Sequence, residues 1–351
     1  MSGDLDFDSA SLAEALAQRK FSSHSFTVVG YGNMGKQYIK ALLALKVARV
    51  RVISQSEFPL AELHGVESIS TYAGGFASFN MSPTKGEIGI IATPTLDLVA
   101  AADHLVALGY RHLLIEKPIS LFSAEIAQLA KRLQQQGVQA YCAFNRVTYP
   151  SVYEALARAS AEGGITSCTY TFTEFVNRLG PGKFSDAELA RWGIANSMHV
   201  MSLAHTLIGW PQTWQTYRAG AGQIDWHPTG AIFTGAGLST QGIPFSYHAD
   251  WNSTGRWSVE IHTHKSSYRF CPLEQLFRRT AFDKVWEEVP LTLFASAVKI
   301  GFVEQVAALV QGAPYRRLPT LAETVALTRF GEEVFGYTSC FPKTICSFVK
   351  V

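Results

Sequence analysis

Apolar and polar positions change their spacing repeatedly along the chain, and each change marks an element. Thr27-Val28-Val29 is a short β-branched run, the pattern of a buried strand. Residues 36–45 carry apolar side chains at helical spacing, and residues 48–53 form a second β-branched run. A β-α-β crossover of this kind is nearly always parallel and right-handed. The alternation continues. Residues 68–79 hold a short strand and a helix start separated by Gly74-Gly75, and strands follow at 87–92, 111–115 and 138–144 with helices at 96–109 and 125–136 between them. Strands alternating with helices predict an α/β Rossmann domain, a doubly wound parallel sheet.

Past Pro150 the texture differs. A helix is expected at 152–161, then a long threonine-rich strand with one wet face at 165–176, and a helix at 194–209. Alternating runs at 230–240, 243–251, 256–262 and 266–270, split by glycine and proline, predict a large, mostly antiparallel sheet with Trp251 and Trp257 on one face. Residues 294–311 and 321–334 have helical spacing. The expected organisation is a Rossmann domain over 1–147, with an amphipathic helical extension at 9–20, and an α+β domain over 148–351 that includes the C-terminal helices. A broad sheet face of this type often packs on a second copy, so a homo-oligomer is expected.

The first strand runs directly into Gly30-Tyr31-Gly32-Asn33-Met34-Gly35. Gly30 permits the tight turn, Gly32 leaves room for a pyrophosphate against the backbone, and Gly35 lets the helix pack close to the strand. Unpaired N–H groups and the positive end of the helix then face the phosphates. A strand before and a helix after are the context a dinucleotide site requires. In that fold an acid about 20 residues on binds the adenine ribose. Here the second strand ends in Ser54-Gln55-Ser56, with no acid before Glu57. Neutral donors tolerate a 2′-phosphate, so the cofactor is NADP or NAD, with NADP favoured. The arginine that usually clamps the phosphate is not visible in this loop, and an NAD enzyme would take its ribose contact elsewhere.

Composition narrows the partners. A formal charge of +2, with 17% charged residues, gives no basic surface for nucleic acid or membrane. Every apolar run is too short to span a bilayer, and residues 1–8 hold three aspartates where a secretory signal would be apolar. The five cysteines are scattered without a CxxC or a Cys/His cluster, which fits free thiols in the cytoplasm and no bound metal.

Polar groups gather at the carboxyl ends of the first-domain strands, where open α/β sheets bind ligands: Thr93-Pro94, Glu116-Lys117-Pro118 and Asn145-Arg146. With Phe144, Tyr149-Pro150 and Asn196-Ser197-Met198-His199, in this order and spacing, the chain resembles the Gfo/Idh/MocA oxidoreductases, the family of glucose-fructose oxidoreductase and inositol dehydrogenase. Gly255-Arg256-Trp257, Pro272-Leu273-Glu274 and the segment 301–305 are similar to members from polysaccharide and sugar-nucleotide metabolism.

The resemblance implies an NAD(P)-dependent oxidoreductase that passes a hydride between a sugar, polyol or sugar-nucleotide alcohol and nicotinamide. It implies cofactor contacts at the glycine loop, Ser54, Gln55, Thr93, Pro94, Glu116, Lys117 and Asn145. Lys117 would bind the reacting hydroxyl, aimed by a cis peptide before Pro118, and His199 would be the general base. Substrate would meet Lys117, Arg146, Trp192, Asn196 and His199. Arg146 either binds an acceptor group or joins the domains, and Trp192 either stacks on a sugar ring or belongs to the core. Glu174, Asn177, Arg178, Lys183 and Arg191 lie in the loop expected to cover the site. The sequence also departs from its relatives. Ala195 stands where many carry an aspartate one turn before the histidine, Ser202 replaces an acid after it, and Leu98 replaces a histidine downstream of Thr-Pro. Two other functions therefore stay open: a redox-assisted, NAD-dependent glycosidase, and a catalytically silent dinucleotide- or sugar-sensing protein.

Overall fold

In the computed structural model, residues 18, 20–179, 182–294, 298–311 and 318–339 are described. The helical extension expected at 9–20 lies almost wholly outside them.

Six parallel strands form the first sheet: β1 (Ser25–Val29), β2 (Arg49–Ile53), β3 (Ile69–Tyr72), β4 (Ile88–Ile91), β5 (His112–Glu116) and β6 (Gln139–Ala143), in the order β3-β2-β1-β4-β5-β6. β4 is buried along its whole length, and β1, β2 and β5 are buried at all but their first residue. That is why these strands read as continuous apolar runs rather than alternating ones. Helices α1 (Asn33–Ala44), α2 (Leu98–Ala107) and α3 (Ser123–Gln135) cover this sheet. The strand order reverses between β1 and β4, which opens a crevice at their carboxyl ends.

After helix α4 (Pro150–Ala161), the second sheet has eight strands, with the short helix α5 (Asp186–Ala190) between the first two: β7 (Ser167–Phe172), β8 (Pro211–Ala219), β9 (Ile232–Ser239), β10 (Pro244–Asp250), β11 (Trp257–His262), β12 (Ser266–Phe270), β13 (Phe277–Thr280) and β14 (Glu287–Glu288). Their order is β14-β13-β12-β11-β7-β10-β9-β8, and every pairing is antiparallel except β7 with β10. One face is apolar. Tyr170 and Phe172 from β7 and Phe245 and Tyr247 from β10 pack under α6 (Met198–Ile208) and α8 (Leu321–Phe335). By strand parity Trp251 and Trp257 belong to this same face.

Three elements differ from their sequence pattern. β7 stops at Phe172 rather than running to 176, because the Thr173 hydroxyl accepts the Asp250 N–H at 3.1 Å and leaves the ladder. The helix expected from 294 begins at Phe302, since Gly301 has φ +90° and a side chain there would collide with the Asn145 carbonyl. The helix carrying His199 opens with a π-helical turn, Gly193–Ser197, before α6.

The last two helices return to the first sheet. On α7 (Phe302–Gln311), Phe302 packs edge-on to Tyr38 of α1, with ring centroids 4.9 Å apart. α8 starts with a capping box between Thr320 and Glu323. Its Glu332 accepts from the Ser123 N–H (3.0 Å), the Ser123 hydroxyl (2.6 Å) and Arg191 Nη2 (2.8 Å). On its other face Phe330 and Phe335 pack against Trp214 and Phe233 of the second sheet. α8 is thus a wedge fixing one sheet to the other.

Candidate active site

The glycine loop has the geometry its sequence calls for. Gly30 has φ +99°, and a Cβ on it would strike the Ala92 carbonyl; a Cβ on Gly35 would strike the Gly30 carbonyl. At Gly32 a Cβ would meet nothing within 4 Å, so the space above the loop is open. Gly32 caps α1, leaving the N–H groups of Asn33, Met34 and Gly35 without partners in the helix. At the mouth of β4, beside exposed Pro94, the Thr93 hydroxyl is buried with no hydrogen-bond partner. A buried orphan hydroxyl next to an open phosphate cradle fits a dinucleotide laid across the crevice. The other end of the loop is packed into the protein. Tyr31 is buried and donates to Glu62 at 2.8 Å, and Lys36 pairs with the same carboxylate at 2.7 Å. Ser54 is held by main-chain bonds to Tyr72 and Gly75, and Gln55 is exposed.

Glu116 ends β5 in a buried position and accepts the Tyr38 hydroxyl at 2.7 Å; that hydroxyl also lies 2.9 Å from Gln305 Oε1 on α7. Burial pushes the Glu116 carboxyl up, while the Tyr38 hydrogen bond and Lys117 hold it down. The next peptide, Lys117–Pro118, is cis. Lys117 Nζ donates to the Ala195 carbonyl, 2.9 Å away, so the β5 loop meets the π-helical turn. Burial lowers the Lys117 pKa, Glu116 opposes that shift, and Arg146 adds to it. Asn145 is buried and turned toward α7, with its amide 3.4 Å from the Ile300 carbonyl.

On the far side of this junction lies a cavity of about 580 Å³. Of the residues expected to meet substrate, Arg146 and Asn196 line it; Lys117 and His199 do not, but Lys117 is bonded to Ala195 beside Asn196 and His199 packs against the lining residue Trp257. Trp192 does not line it; its indole is 4% exposed and packed between Phe184 and Trp226, which makes it core. His199 is buried, with its ring 6.0 Å from that of Trp257 and its Nδ1 sealed without a partner. Burial, then the charges of Arg146, Lys117 and Lys299, hold its pKa well below the usual histidine range, so the ring is neutral.

Two features of the cavity go beyond the substrate contact expected of Arg146 and the covering loop expected to hold Glu174 and Arg178. First, Arg146, Arg178 and Arg256 line it, and none makes an ion pair among the described residues. Arg146 stacks over Trp257 at 5.2 Å, while Arg178 and Arg256 both stack on Phe175, at 5.4 and 5.3 Å. Second, Glu174 is a buried carboxyl in the wall, accepting Asn196 Nδ2 at 3.0 Å and the Ser197 hydroxyl at 2.6 Å. Burial raises its pKa to about 7, with the Ser197, Trp192 and Asn196 donors and the Lys117 charge opposing. A second cavity of about 640 Å³, beside Thr95, Ser120 and Phe122, contains none of the expected site residues.

The pattern of the Gfo/Idh/MocA family, described as an oxidoreductase family with an NAD-binding Rossmann fold, matches residues 24–144. No curated protein matches the chain in sequence. Among solved structures, it is similar to an inositol dehydrogenase homologue from Azotobacter vinelandii complexed with NADH and myo-inositol, at 12% identity and TM-score 0.68, covering 90% of this chain and 95% of that one. UDP-N-acetylglucosamine 3-dehydrogenase GnnA from Acidithiobacillus ferrooxidans aligns at 14% identity and TM-score 0.65, over 90% of this chain and 98% of that one. The super-repressor mutant of Gal80p from Saccharomyces cerevisiae aligns at 13% identity and TM-score 0.70, over 90% and 96%. These likenesses establish the two-sheet fold. Residues 24–144 thus carry the NAD-binding Rossmann pattern of the Gfo/Idh/MocA oxidoreductases, set within a two-sheet fold that these solved structures share.

Proposed function

We propose that the protein is a nicotinamide-dependent oxidoreductase acting on a CH–OH group of a sugar, polyol or sugar nucleotide. One observation carries this: Lys117, at the mouth of the dinucleotide crevice, is bonded to the turn whose Asn196 lines the arginine-bearing cavity. Cofactor and substrate spaces therefore meet at one cation. Bound nicotinamide supplies the hydride acceptor or donor. The glycine loop, Thr93 and Pro94 hold the dinucleotide, Lys117 stabilises charge developing on the substrate oxygen, and Asn196 and Arg146 orient the substrate. His199 and Glu174 are the two groups near enough to manage a proton. The three unpaired arginines favour a substrate with a phosphate or diphosphate, hence the sugar nucleotide over a neutral polyol.

NADP is the favoured cofactor, because Ser54 and Gln55 bring no negative charge to the end of β2. Among the described residues no helix is long and apolar enough to cross a membrane, and Cys142, Cys168 and Cys271 are free, which supports a reducing cytoplasm. Tyr217 and Leu238, exposed on one face of β8 and β9, support pairing of that sheet face with a second copy.

The test is to identify any nicotinamide that survives purification, then screen sugar nucleotides, sugar phosphates and neutral polyols for a change in reduced-nicotinamide absorbance. Turnover of none of them, with dinucleotide bound, contradicts the proposal. It would leave the silent sensor as the second reading, which Ala195, with no acid on that turn, favours.

A further inference from the structure

The turn Gly193–Ser197 holds two groups from different sheets at once. Its Ala195 carbonyl takes the Lys117 ammonium. Its next two residues, Asn196 and Ser197, donate one hydrogen bond to each oxygen of Glu174. The π-helical winding suits this work, because a widened turn breaks the normal backbone ladder and frees main-chain groups for other partners. Glu174 is 5% exposed, and the little surface it keeps belongs to the cavity wall. A carboxylate has about four acceptor sites. Asn196 and Ser197 use two and the Trp192 indole N–H bears on a third, which leaves one for a ligand.

His199 is poorly placed for the same task. Its Nδ1 is buried without a partner that could orient the ring or stabilise an imidazolium. Three cations, Arg146, Lys117 and Lys299, bear on it, and a proton arriving there would add a fourth positive charge. A proton arriving on Glu174 cancels a buried negative charge instead. Lys117 and Tyr337 are titratable groups that bear on Glu174, with Ser197, Trp192 and Asn196 as neutral donors. The other cavity-lining carboxylate, Glu274, accepts Tyr149 at 3.3 Å and is not bonded to this turn.

We propose that Glu174 is a catalytic residue of this site: in place of His199, it takes the proton from the substrate hydroxyl held at Lys117. The inference rests on the oxidoreductase function proposed above. In alcohol oxidation the O–H bond breaks, its proton passes to a Glu174 oxygen, and its electron pair becomes the second C–O bond. The C–H bond breaks with both electrons leaving as hydride to oxidised nicotinamide. In the reverse direction protonated Glu174 returns the proton. His199 then acts as a neutral neighbour that shapes the pocket.

Two readouts test this. The first needs no cofactor: protein labelled with 13C at the glutamate carboxyl is titrated by NMR, with Glu174→Gln identifying the resonance. A Glu174 carboxyl titrating near pH 7 is expected, and one titrating in the ordinary carboxylate range overturns the proposal whether or not turnover is seen. The second is the pH profile of kcat for alcohol oxidation. It should rise to a plateau with an inflection near neutrality, and Glu174→Gln should lower kcat by about 10²–10⁴-fold and remove the inflection. Ser197→Ala, which deletes a donor favouring the ionised carboxyl, should move the inflection upward, and His199→Gln should retain it. An inflection that survives in Glu174→Gln and vanishes in His199→Gln assigns the proton to His199 and overturns the proposal. Failure of the wild type to turn over any substrate counts against the oxidoreductase function, and the NMR titration still decides the state of Glu174.

Discussion

Lys117 Nζ lies 2.9 Å from the Ala195 carbonyl oxygen, so a lysine at the end of the parallel sheet is held by a turn that belongs to the antiparallel one. A lysine drawn out of water in this way costs stability, as its lowered pKa shows. Its replacement by a residue of similar length without charge should reverse that cost. Lys117→Met is therefore expected to leave the thermal midpoint unchanged or higher while turnover falls by at least about 10²-fold and the dinucleotide still binds. The check is a melting curve, a cofactor titration by fluorescence, and a rate. A clearly lower melting temperature would show that Lys117 is a structural tie between the sheets.

The raised carboxyl of Glu174 makes a stability prediction with a definite sign. Its folded pKa, about 7, lies above the ordinary glutamate value of 4.5. The folded state therefore binds this proton more tightly than the unfolded chain. The resulting stabilisation is complete below pH 4.5 and is lost as pH rises through 7, by about 3 kcal/mol for a shift of this size. Urea unfolding of the wild type and Glu174→Gln at pH 5 and pH 8, as chosen conditions, should show the variant gaining on the wild type at the higher pH (about 8). Equal differences at the two pH values would place the Glu174 pKa near its unfolded value.

His205 contributes in the opposite direction. It is fully enclosed, with Nδ1 2.9 Å from the Gly209 carbonyl and Nε2 3.2 Å from the Tyr170 hydroxyl, and burial lowers its pKa to about 4. Its stabilising effect is present above the unfolded value of 6.5 and is lost as pH falls through 4, again by about 3 kcal/mol. Between these limits the two groups act in opposite directions, while His199 and His227, both held below the usual histidine range by burial, add to the acid-side loss. His205→Gln should remove the His205 share of the acid-side loss, moving the acid-unfolding midpoint, followed by circular dichroism, to lower pH.

The contrast between what the sequence disclosed and what it hid has physical causes. Strand–helix alternation to Ala143 was legible because buried parallel strands and amphipathic helices have distinct periods. The glycine loop was legible because two steric demands, at Gly30 and Gly35, and the open space at Gly32 fall within six positions. Glu174 was visible only as a loop residue, since its meaning depends on Asn196 and Ser197, which arrive 22 and 23 positions later. The π-helical turn leaves no mark on apolar spacing, so the helix expected at 194–209, with Ala195 one turn before His199, assumed regular winding. Trp192 could not be told from a stacking platform until Phe184 and Trp226 were found on it.

The arginines at the cavity give a test of substrate charge. Arg178 and Arg256 flank the ring of Phe175, which is 41% exposed, and no carboxylate among the described residues neutralises them. A hydrogen bond to a charged group contributes about 1.5–3 kcal/mol. Arg178→Ala and Arg256→Ala should each weaken a nucleoside-diphosphate sugar by about 10–100-fold by calorimetry, with less loss at high salt, and leave a neutral polyol unaffected. Equal losses for both ligands would show that the arginines support the wall and do not read charge.

The three loop glycines should separate folding from cofactor binding. A methyl group at Gly30 meets the Ala92 carbonyl, and φ +99° there is a conformation that side chains rarely adopt. At Gly35 a methyl group meets the Gly30 carbonyl. Either change forces β1 away from α1 or β4, so Gly30→Ala and Gly35→Ala should lower stability by several kcal/mol, at the upper end of single-substitution effects. Gly32 is different. Its φ of −81° suits any residue, and nothing lies within 4 Å of the added carbon. Gly32→Ala should therefore fold with an unchanged melting temperature when free of ligand. The new methyl group occupies the space where the pyrophosphate must approach the first N–H groups of α1, so the same variant should bind NADP and NAD at least about 10-fold more weakly, a loss of 1.4 kcal/mol or more. Dinucleotide binding that is unimpaired in Gly32→Ala would remove the phosphates from this loop.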